Sequence, residues 1–310
     1  MADILFNTFT YIFIIGLGYF LKRIHLLGKD AGDMLAKIVI NLTLPAMLLS
    51  ASNGLVMDST MLVYIILGIM CNVVMLVVSY VLTRNNTPVI RGAAAMSCAG
   101  IDIGNFVLPF VVKFFPGTGV MMVNSFNIGN AIMNNGGDFV FASKLAAGKS
   151  KFGIRDMAKK LFSSVTFDTY ILIILMSCMG WSLPQRVMQI VDIIGNANIF
   201  IVMLMIGLKL DFSSEESTDE EKTVLRRIFI ARYAGAVCMS VATWILPIPT
   251  LGKIISTLVY FGPPTTGSNA YARRLGYTGG MSAKMNILCI FPTIFIITAI
   301  IMIVSYLGIV

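Results

Sequence analysis

The sequence predicts an all-α membrane protein: ten transmembrane helices that form two inverted five-helix repeats, with helices 4 and 9 broken. The first observation is composition, since the chain is 57% hydrophobic and 12% charged, whereas soluble proteins contain about 25% charged residues. The second is the recurrence of apolar runs close to the roughly 20 residues that cross a bilayer as a helix. The third is a pair of proline- and glycine-containing interruptions, one in each half of the chain.

The apolar runs define ten predicted spans separated by short polar loops. These spans cover residues 4–21, 32–51, 60–83, 90–114, 118–142, 161–181, 187–208, 226–246, 251–272 and 284–307. The first span is expected to remain in the membrane, because Asp3 precedes it and Lys22 and Arg23 follow it. That charge order is the reverse of a cleavable signal peptide.

The net charge of +8 comes from basic residues in the loops, so it indicates orientation and not nucleic-acid binding. Of the 23 Lys and Arg residues, 20 lie in the loops after spans 1, 3, 5, 7 and 9 or at the adjoining helix ends. Loops rich in Lys and Arg stay on the cytoplasmic side of a membrane. We therefore expect a multi-pass protein of the cytoplasmic membrane with both termini on the extracytoplasmic side.

The chain divides near residue 150 into two predicted repeats, 1–150 and 151–310. Each repeat contains five spans, and an odd number of spans places the second repeat upside down relative to the first. Pro109 in span 4 and the pair Pro263 and Pro264 in span 9 occupy corresponding positions. Interrupted helices at matching places in inverted repeats are typical of transport sites.

Metal-dependent and histidine-based chemistry is not expected. His25 is the only histidine, and the five cysteines lie inside apolar stretches without the spacing of a metal site. No phosphate-binding loop of the G-x-x-x-x-G-K-[ST] type occurs. We therefore expect neither an enzyme nor a bound cofactor, and serine or paired-aspartate chemistry is left as a formal alternative.

The interruptions themselves are "AGIDIGNFVLPF" in span 4, with Gly104 and Pro109, and "FGPPTTGSNA" in span 9, with Pro263 and Pro264. A proline inside a helix removes one backbone donor and costs about 3 kcal/mol. Unwound backbone at membrane depth is tolerated only inside protein or beside a water-filled cavity. We expect both helices to break near mid-membrane, face to face, with half-helix N-termini suited to a carboxylate. For Pro109 alone, a kink used only for packing is the alternative.

Polar side chains near the interruptions are candidate substrate contacts. Span 5 places Asn127, Asn130 and Asn134 on one helical face, which predicts either a polar wall of the substrate path or hydrogen bonds between helices. The full set of predicted substrate-binding residues is Asn41, Asn105, Asn130, Asn134, Thr265 and Asn269.

Asp102 lies near the middle of span 4, where an unpaired carboxylate costs at least about 3 kcal/mol. A protonatable acid beside a broken helix is a candidate for coupling to H⁺ or Na⁺, and a structural hydrogen bond or ion pair is the alternative. Asp138, Asp168 and Asp192 are closer to the ends of their spans, and Arg232 is a possible partner for one of them.

Four segments resemble motifs of the auxin efflux carrier family, which includes plant PIN carriers and bacterial organic-acid permeases. "NLTLPAMLL" is similar to the second-helix motif and "IDIGNFVLPFV" to the fourth-helix crossover. "NIFIVMLMIGLKLDF" resembles the seventh helix, and "PPTTGSNAYARRLGYTGGMSAKMNIL" resembles the ninth helix and the segment after it. One position departs from the family, because many members have Asn where this chain has Asp102.

The resemblance implies a secondary or facilitative transporter of a small organic anion, with the ten-helix fold shared with bile-acid sodium symporters. It also implies a scaffold of helices 1, 2, 6 and 7, a transport unit of helices 3–5 and 8–10, an elevator-type motion of that unit, and a homodimer through the scaffold. The alternative function is a membrane sensor or receptor with a transporter-like fold, whose output would be the acidic segment at 211–222.

Overall fold

The structure is a computed structural model that describes residues 1–28, 30–56, 58–147, 154–211 and 218–309. The predicted repeat boundary near residue 150 and half of the acidic segment at 211–222, residues 212–217, lie outside these residues. Within them, all regular secondary structure is helical. In this described part, seven segments are long and apolar enough to cross a membrane, the fourth of them interrupted at 99–102: Ala2–Arg23, Ala31–Ser52, Met61–Thr83, Pro88–Phe114, Gln185–Lys209, Asp219–Ile245 and Met281–Tyr306.

We number the described helical segments α1 to α13. They are α1 (Ala2–Arg23), α2 (Ala31–Ser52), α3 (Met61–Thr83), α4 (Pro88–Cys98), α5 (103–114), α6 (118–147), α7 (Ile154–Leu161), α8 (Val165–Cys178), α9 (Gln185–Lys209), α10 (Asp219–Ile245), α11 (Thr250–Tyr260), α12 (Ser268–Arg274) and α13 (Met281–Tyr306). Helices α2, α5 and α6 each contain one π turn.

The predicted spans all fall on these helices. The predicted spans and the observed helices differ in length and in whether the helix is continuous. Predicted span 6 is the short helix α8, of 14 residues. Predicted spans 4 and 9 are each divided in two, into α4 and α5 and into α11 and α12. All-helical structure is therefore confirmed for the described residues, together with seven segments of membrane-spanning length.

The helices pack in two groups, which we call group 1 (α1, α2, α8 and α9) and group 2 (α3 to α6 and α10 to α13). In group 1, α9 packs against both α1 and α2. In group 2, α3 packs against α6, α4 against α6, and α10 against α11. Helix–helix association in membranes depends on close packing of small residues, and both groups contain such crossings.

Side-chain hydrogen bonds also join the two groups. The Thr8 and Thr298 hydroxyls are 3.0 Å apart and connect α1 with α13. Asn124 of α6 donates to the Ser52 hydroxyl of α2 at 3.2 Å. Asn127 of α6 also donates to the Tyr170 hydroxyl of α8 at 2.6 Å. Apolar packing and polar contacts therefore both join the two groups.

The crossing of α1 and α9 gives a stability prediction. A Cβ on Gly18 would lie 2.3 Å from the Leu204 carbonyl oxygen, whereas a Cβ on Gly16 would meet nothing within 4 Å. We expect Gly18→Ala to lower the free energy of unfolding by about 1–3 kcal/mol, because backbone must move apart. Gly16→Ala should raise it by about 0.5–1 kcal/mol, since alanine is the better helix former.

Thermal unfolding of the two variants in the same detergent measures this difference. Equal unfolding temperatures for Gly16→Ala and Gly18→Ala would contradict the close approach of α1 and α9.

Candidate functional site

The two interrupted helices cross at their unwound segments. The Asp102 backbone N–H donates to the Pro263 carbonyl oxygen at 2.9 Å, which joins the segment between α4 and α5 to the segment between α11 and α12. A Cβ on Gly262 would lie 2.5 Å from the Ile101 side chain. A side chain at position 262 would therefore displace Ile101 from the other segment.

The first interruption lies earlier in the chain than its proline predicts. Helix α4 ends at Cys98, and Gly100 takes the left-handed conformation, with φ of 66°. Pro109 lies inside α5, just after the π turn at Ile103–Val107, and a local π adjustment of this kind lets a membrane helix accommodate a proline. Gly104 lies in the π turn of α5, against Leu44. The expectation that Gly104 and Pro109 break this helix is therefore wrong, because Gly100 makes the turn.

The second interruption follows the prediction. Helix α11 ends at Tyr260 and α12 begins at Ser268, so Pro263 and Pro264 both lie in the unwound segment between them. The Asn286 side chain of α13 donates to the Pro264 carbonyl oxygen at 2.6 Å. Side chains of neighbouring helices thus replace hydrogen bonds that the proline segment cannot make within a helix.

Two buried asparagines bond to the unwound segment between α4 and α5. The Asn72 Oδ1 atom accepts the Gly100 N–H at 2.7 Å. Asn130 accepts the Ile101 N–H at 3.2 Å and donates to the Ile101 carbonyl at 2.8 Å. Asn130 therefore holds protein backbone, in line with the structural alternative for this residue. Asn72 was not among the predicted residues, although it is the only asparagine in α3.

Asp102 caps the N-terminus of α5. Its Oδ1 atom accepts the Asn105 N–H at 3.3 Å and the Asn105 side-chain amide at 2.9 Å. The backbone amide of Thr266 and the Lys209 ammonium also act on this carboxylate. Acceptors at a helix N-terminus satisfy free N–H groups and interact favourably with the helix dipole. The N-terminus that was predicted to suit a substrate carboxylate thus holds a carboxylate of the chain itself.

Arg232 of α10 does not form the side-chain ion pair that the sequence suggested. Among the described residues, its guanidinium donates instead to backbone carbonyls of both unwound segments. Asp192 accepts a hydrogen bond from Ser50, and Asp168 is exposed in the first turn of α8. Asp138 is buried, and neither of its oxygens has a hydrogen-bond partner in the described part of the chain.

The remaining predicted contact residues divide by location. Asn105, Asn134 and Asn269 each have a buried Oδ1 atom without a hydrogen-bond partner in the described part of the chain. A Cβ on Gly100 would lie 2.3 Å from the Asn134 Oδ1 atom and 3.1 Å from the Thr265 methyl group, so these residues are neighbours. Asn41 is exposed and donates to Lys37 of its own helix. The structure therefore does not bring Asn41 to the crossing.

A cavity of about 680 Å³ lies between group 1 and group 2, beside the crossing. Its volume is within the range of small-molecule sites. Asn269 is the only one of the predicted contact residues that lines it. The charged lining residues are Lys22, Asp33, Lys209, Asp211 and Arg273, and the polar ones are Thr266, Ser268, Asn269, Ser282 and Asn286.

The cationic side chains of this cavity differ in whether they already have a hydrogen-bond or ion-pair partner. Lys209 is 3.0 Å from Asp33, and Lys22 donates to the Leu210 carbonyl oxygen at 2.8 Å. The Arg273 guanidinium has neither a hydrogen bond nor an ion pair with the described residues. Arg273 can therefore bind an anion that enters the cavity without giving up a partner.

These cations could not be recognised as a site from the sequence, for a physical reason. Lys22, Lys209 and Arg273 stand at the ends of predicted spans, where basic residues indicate orientation whether or not they bind a ligand. Their convergence depends on how α1, α9 and α12 pack.

The chain matches no family model and no curated protein. In the described residues, no group of three or more His, Cys, Asp or Glu side chains is placed to hold a metal ion.

Proposed function

We propose that this protein carries a small organic anion across the cytoplasmic membrane, as a secondary active or facilitative transporter of the auxin efflux carrier type. The observation that carries the proposal is the cavity of about 680 Å³ with the uncommitted Arg273 guanidinium. Three cationic and two acidic side chains line it, so its formal charge favours an anion. Hydrogen bonds in which at least one group is charged are stronger than those between two neutral groups.

The same proposal assigns ten transmembrane helices in two inverted repeats and an elevator-type mechanism. Group 1 would be the scaffold and group 2 the moving unit that carries the crossing. This division is supported by the way the helices pack, since the cavity lies between the groups and not inside either. We further propose a homodimer that forms through group 1, with both termini outside the cytoplasm.

A thermal-shift screen of purified protein against small carboxylates, at two pH values and with or without Na⁺, tests the proposal. A ligand at 100 times its Kd raises the free energy of unfolding by about 2.7 kcal/mol. We expect one class of carboxylate to stabilise the protein, and the condition of greatest stabilisation to identify the coupling ion. The absence of any shift across the carboxylates would contradict the anion site.

Arg273→Gln is expected to weaken binding of the stabilising carboxylate by roughly tenfold or more, because a hydrogen bond to a charged group contributes about 1.5–3 kcal/mol. Arg274→Gln is the matched control. Arg274 is adjacent in sequence, but its guanidinium lies 6.0 Å from the Tyr271 ring centroid and does not line the cavity.

Affinities of both variants, measured by the concentration dependence of the thermal shift, separate the outcomes. Equal losses in the two variants would mean that Arg273 contributes only to surface charge. Binding without any flux in vesicles would favour the sensor function over the carrier.

A further inference from the structure

Arg232 contacts both interrupted helices at once. The side chain leaves α10 and is only 4% exposed. One guanidinium nitrogen donates to the Cys98 carbonyl at 2.6 Å, and the other donates to the Gly100 carbonyl at 3.1 Å and the Gly262 carbonyl at 2.9 Å. Cys98 is the last residue of α4, and Gly262 follows the end of α11.

The chemistry of these two helix ends explains why an arginine suits the position. The last carbonyls of a helix have no intrahelical donor and carry the negative end of the helix dipole. Lipid cannot supply a donor for them. A guanidinium offers five N–H groups in a rigid plane and remains charged. One side chain therefore satisfies the last carbonyl of α4, at Cys98, and carbonyls of both unwound segments, at Gly100 and Gly262.

The obvious competing role for Arg232 is neutralisation of Asp138. Asp138 is only 1% exposed, and Arg232 is the charged group that acts on it. Neither Asp138 oxygen accepts a hydrogen bond from the described residues, however, while Arg232 uses both terminal nitrogens on backbone. The geometry favours the carbonyls as the partners of the guanidinium.

We propose that Arg232 is a positioning residue that fastens the two unwound segments to α10 and to each other. In the structure a backbone hydrogen bond from Asp102 to Pro263 joins the segments directly. Arg232 joins them through its side chain, with two hydrogen bonds on one side, to Cys98 and Gly100, and one on the other, to Gly262. Asp102 lies on the segment between α4 and α5, and the cavity wall at 266–270 adjoins the segment between α11 and α12. With the two segments fastened together, Asp102 keeps a constant position relative to that wall. This role does not depend on which ligand enters the cavity.

Hydrogen–deuterium exchange of the full-length protein in detergent, read by mass spectrometry, tests the proposal without any ligand. In Arg232→Met we expect roughly tenfold faster exchange in the peptides that cover 98–104 and 261–267, since local opening raises exchange only where contacts are lost. Peptides from α1 and α9, which do not contact Arg232, should keep wild-type protection. Arg226→Met, an exposed position on the same helix, is the matched control and should leave all peptides unchanged.

Asp138→Asn and the double variant Arg232→Met/Asp138→Asn separate the two roles. If Arg232 holds the carbonyls, Asp138→Asn leaves protection of both segments unchanged, and the double variant exchanges as fast as Arg232→Met. Recovery of protection in the double variant would overturn the proposal in favour of charge neutralisation.

Arg232→Lys provides a second route if the methionine variant does not fold. An ammonium keeps the charge but lacks the planar fork, so we expect a smaller rise in exchange that is confined to the same two segments. Wild-type protection in Arg232→Met, or faster exchange throughout the chain in Arg232→Lys, would show that Arg232 does not position the crossing.

Discussion

Asp102→Asn is expected to leave the fold intact and to remove the dependence of anion uptake on pH or on Na⁺. The asparagine Oδ1 atom can accept the Asn105 N–H as the carboxylate does, because Asn and Asp are about equally good N-caps. The variant therefore removes the charge and retains the cap. Asp102 is a buried carboxylate at the crossing itself, and under the proposed function it is the group through which H⁺ or Na⁺ would act on the carrier.

Uptake of the stabilising carboxylate into vesicles, at two pH values and with or without Na⁺, measures the effect. Asp168→Asn is the control, since Asp168 is exposed and lies in α8, which is not one of the interrupted helices. Asp102→Ala removes cap and charge together and should cost a further 1 kcal/mol or so of stability. Unchanged pH and Na⁺ dependence in Asp102→Asn would show that this carboxylate is only a structural cap.

A disulfide between positions 8 and 298 is expected to abolish transport. The Thr8 and Thr298 hydroxyls are 3.0 Å apart, so the cysteine pair Thr8→Cys/Thr298→Cys places two sulfurs within reach of each other. The bond would join α1 of group 1 to α13 of group 2. A mechanism in which group 2 slides past group 1 cannot operate across that link.

The experiment compares uptake before oxidation, after oxidation and after reduction, in a background where the five native cysteines are replaced by alanine. The control pair is Thr43→Cys/Asn198→Cys, which joins α2 to α9 within group 1, where the side-chain oxygens are 2.7 Å apart. Its oxidation should leave uptake unchanged. Full activity of the oxidised pair at 8 and 298 would exclude relative movement of the two groups at this point.

Much of the helical architecture could be predicted from sequence because hydropathy is a local property. The apolar runs at 60–83 and 187–208 correspond closely to Met61–Thr83 and Gln185–Lys209. Pro263 and Pro264 correctly indicated the unwound segment in the second half. Pro109 was a poor guide to the first interruption, since α5 continues through it after a π turn and the residue that turns the chain is Gly100.

The candidate site was less predictable because the same residue type serves structure and binding equally well. Asn130 belonged to the predicted polar wall, yet its amide bonds to the backbone at Ile101. Asn269 was predicted to bind substrate on the same grounds, and it does line the cavity. A sequence pattern cannot separate the two, since both are polar residues near an interruption and only their neighbours differ.

The sequence by itself determined the all-helical class, the positions of the membrane-length helices and the presence of two interruptions, because each depends on residues within one turn or one span. Only the tertiary structure decided what surrounds the interruptions. Arg232 reaches the Cys98 carbonyl across 134 positions of sequence, and the cavity unites residues from Lys22 to Ile290. Such contacts follow from the packing of helices on one another, where shape and hydrogen-bond geometry select partners that no local pattern records.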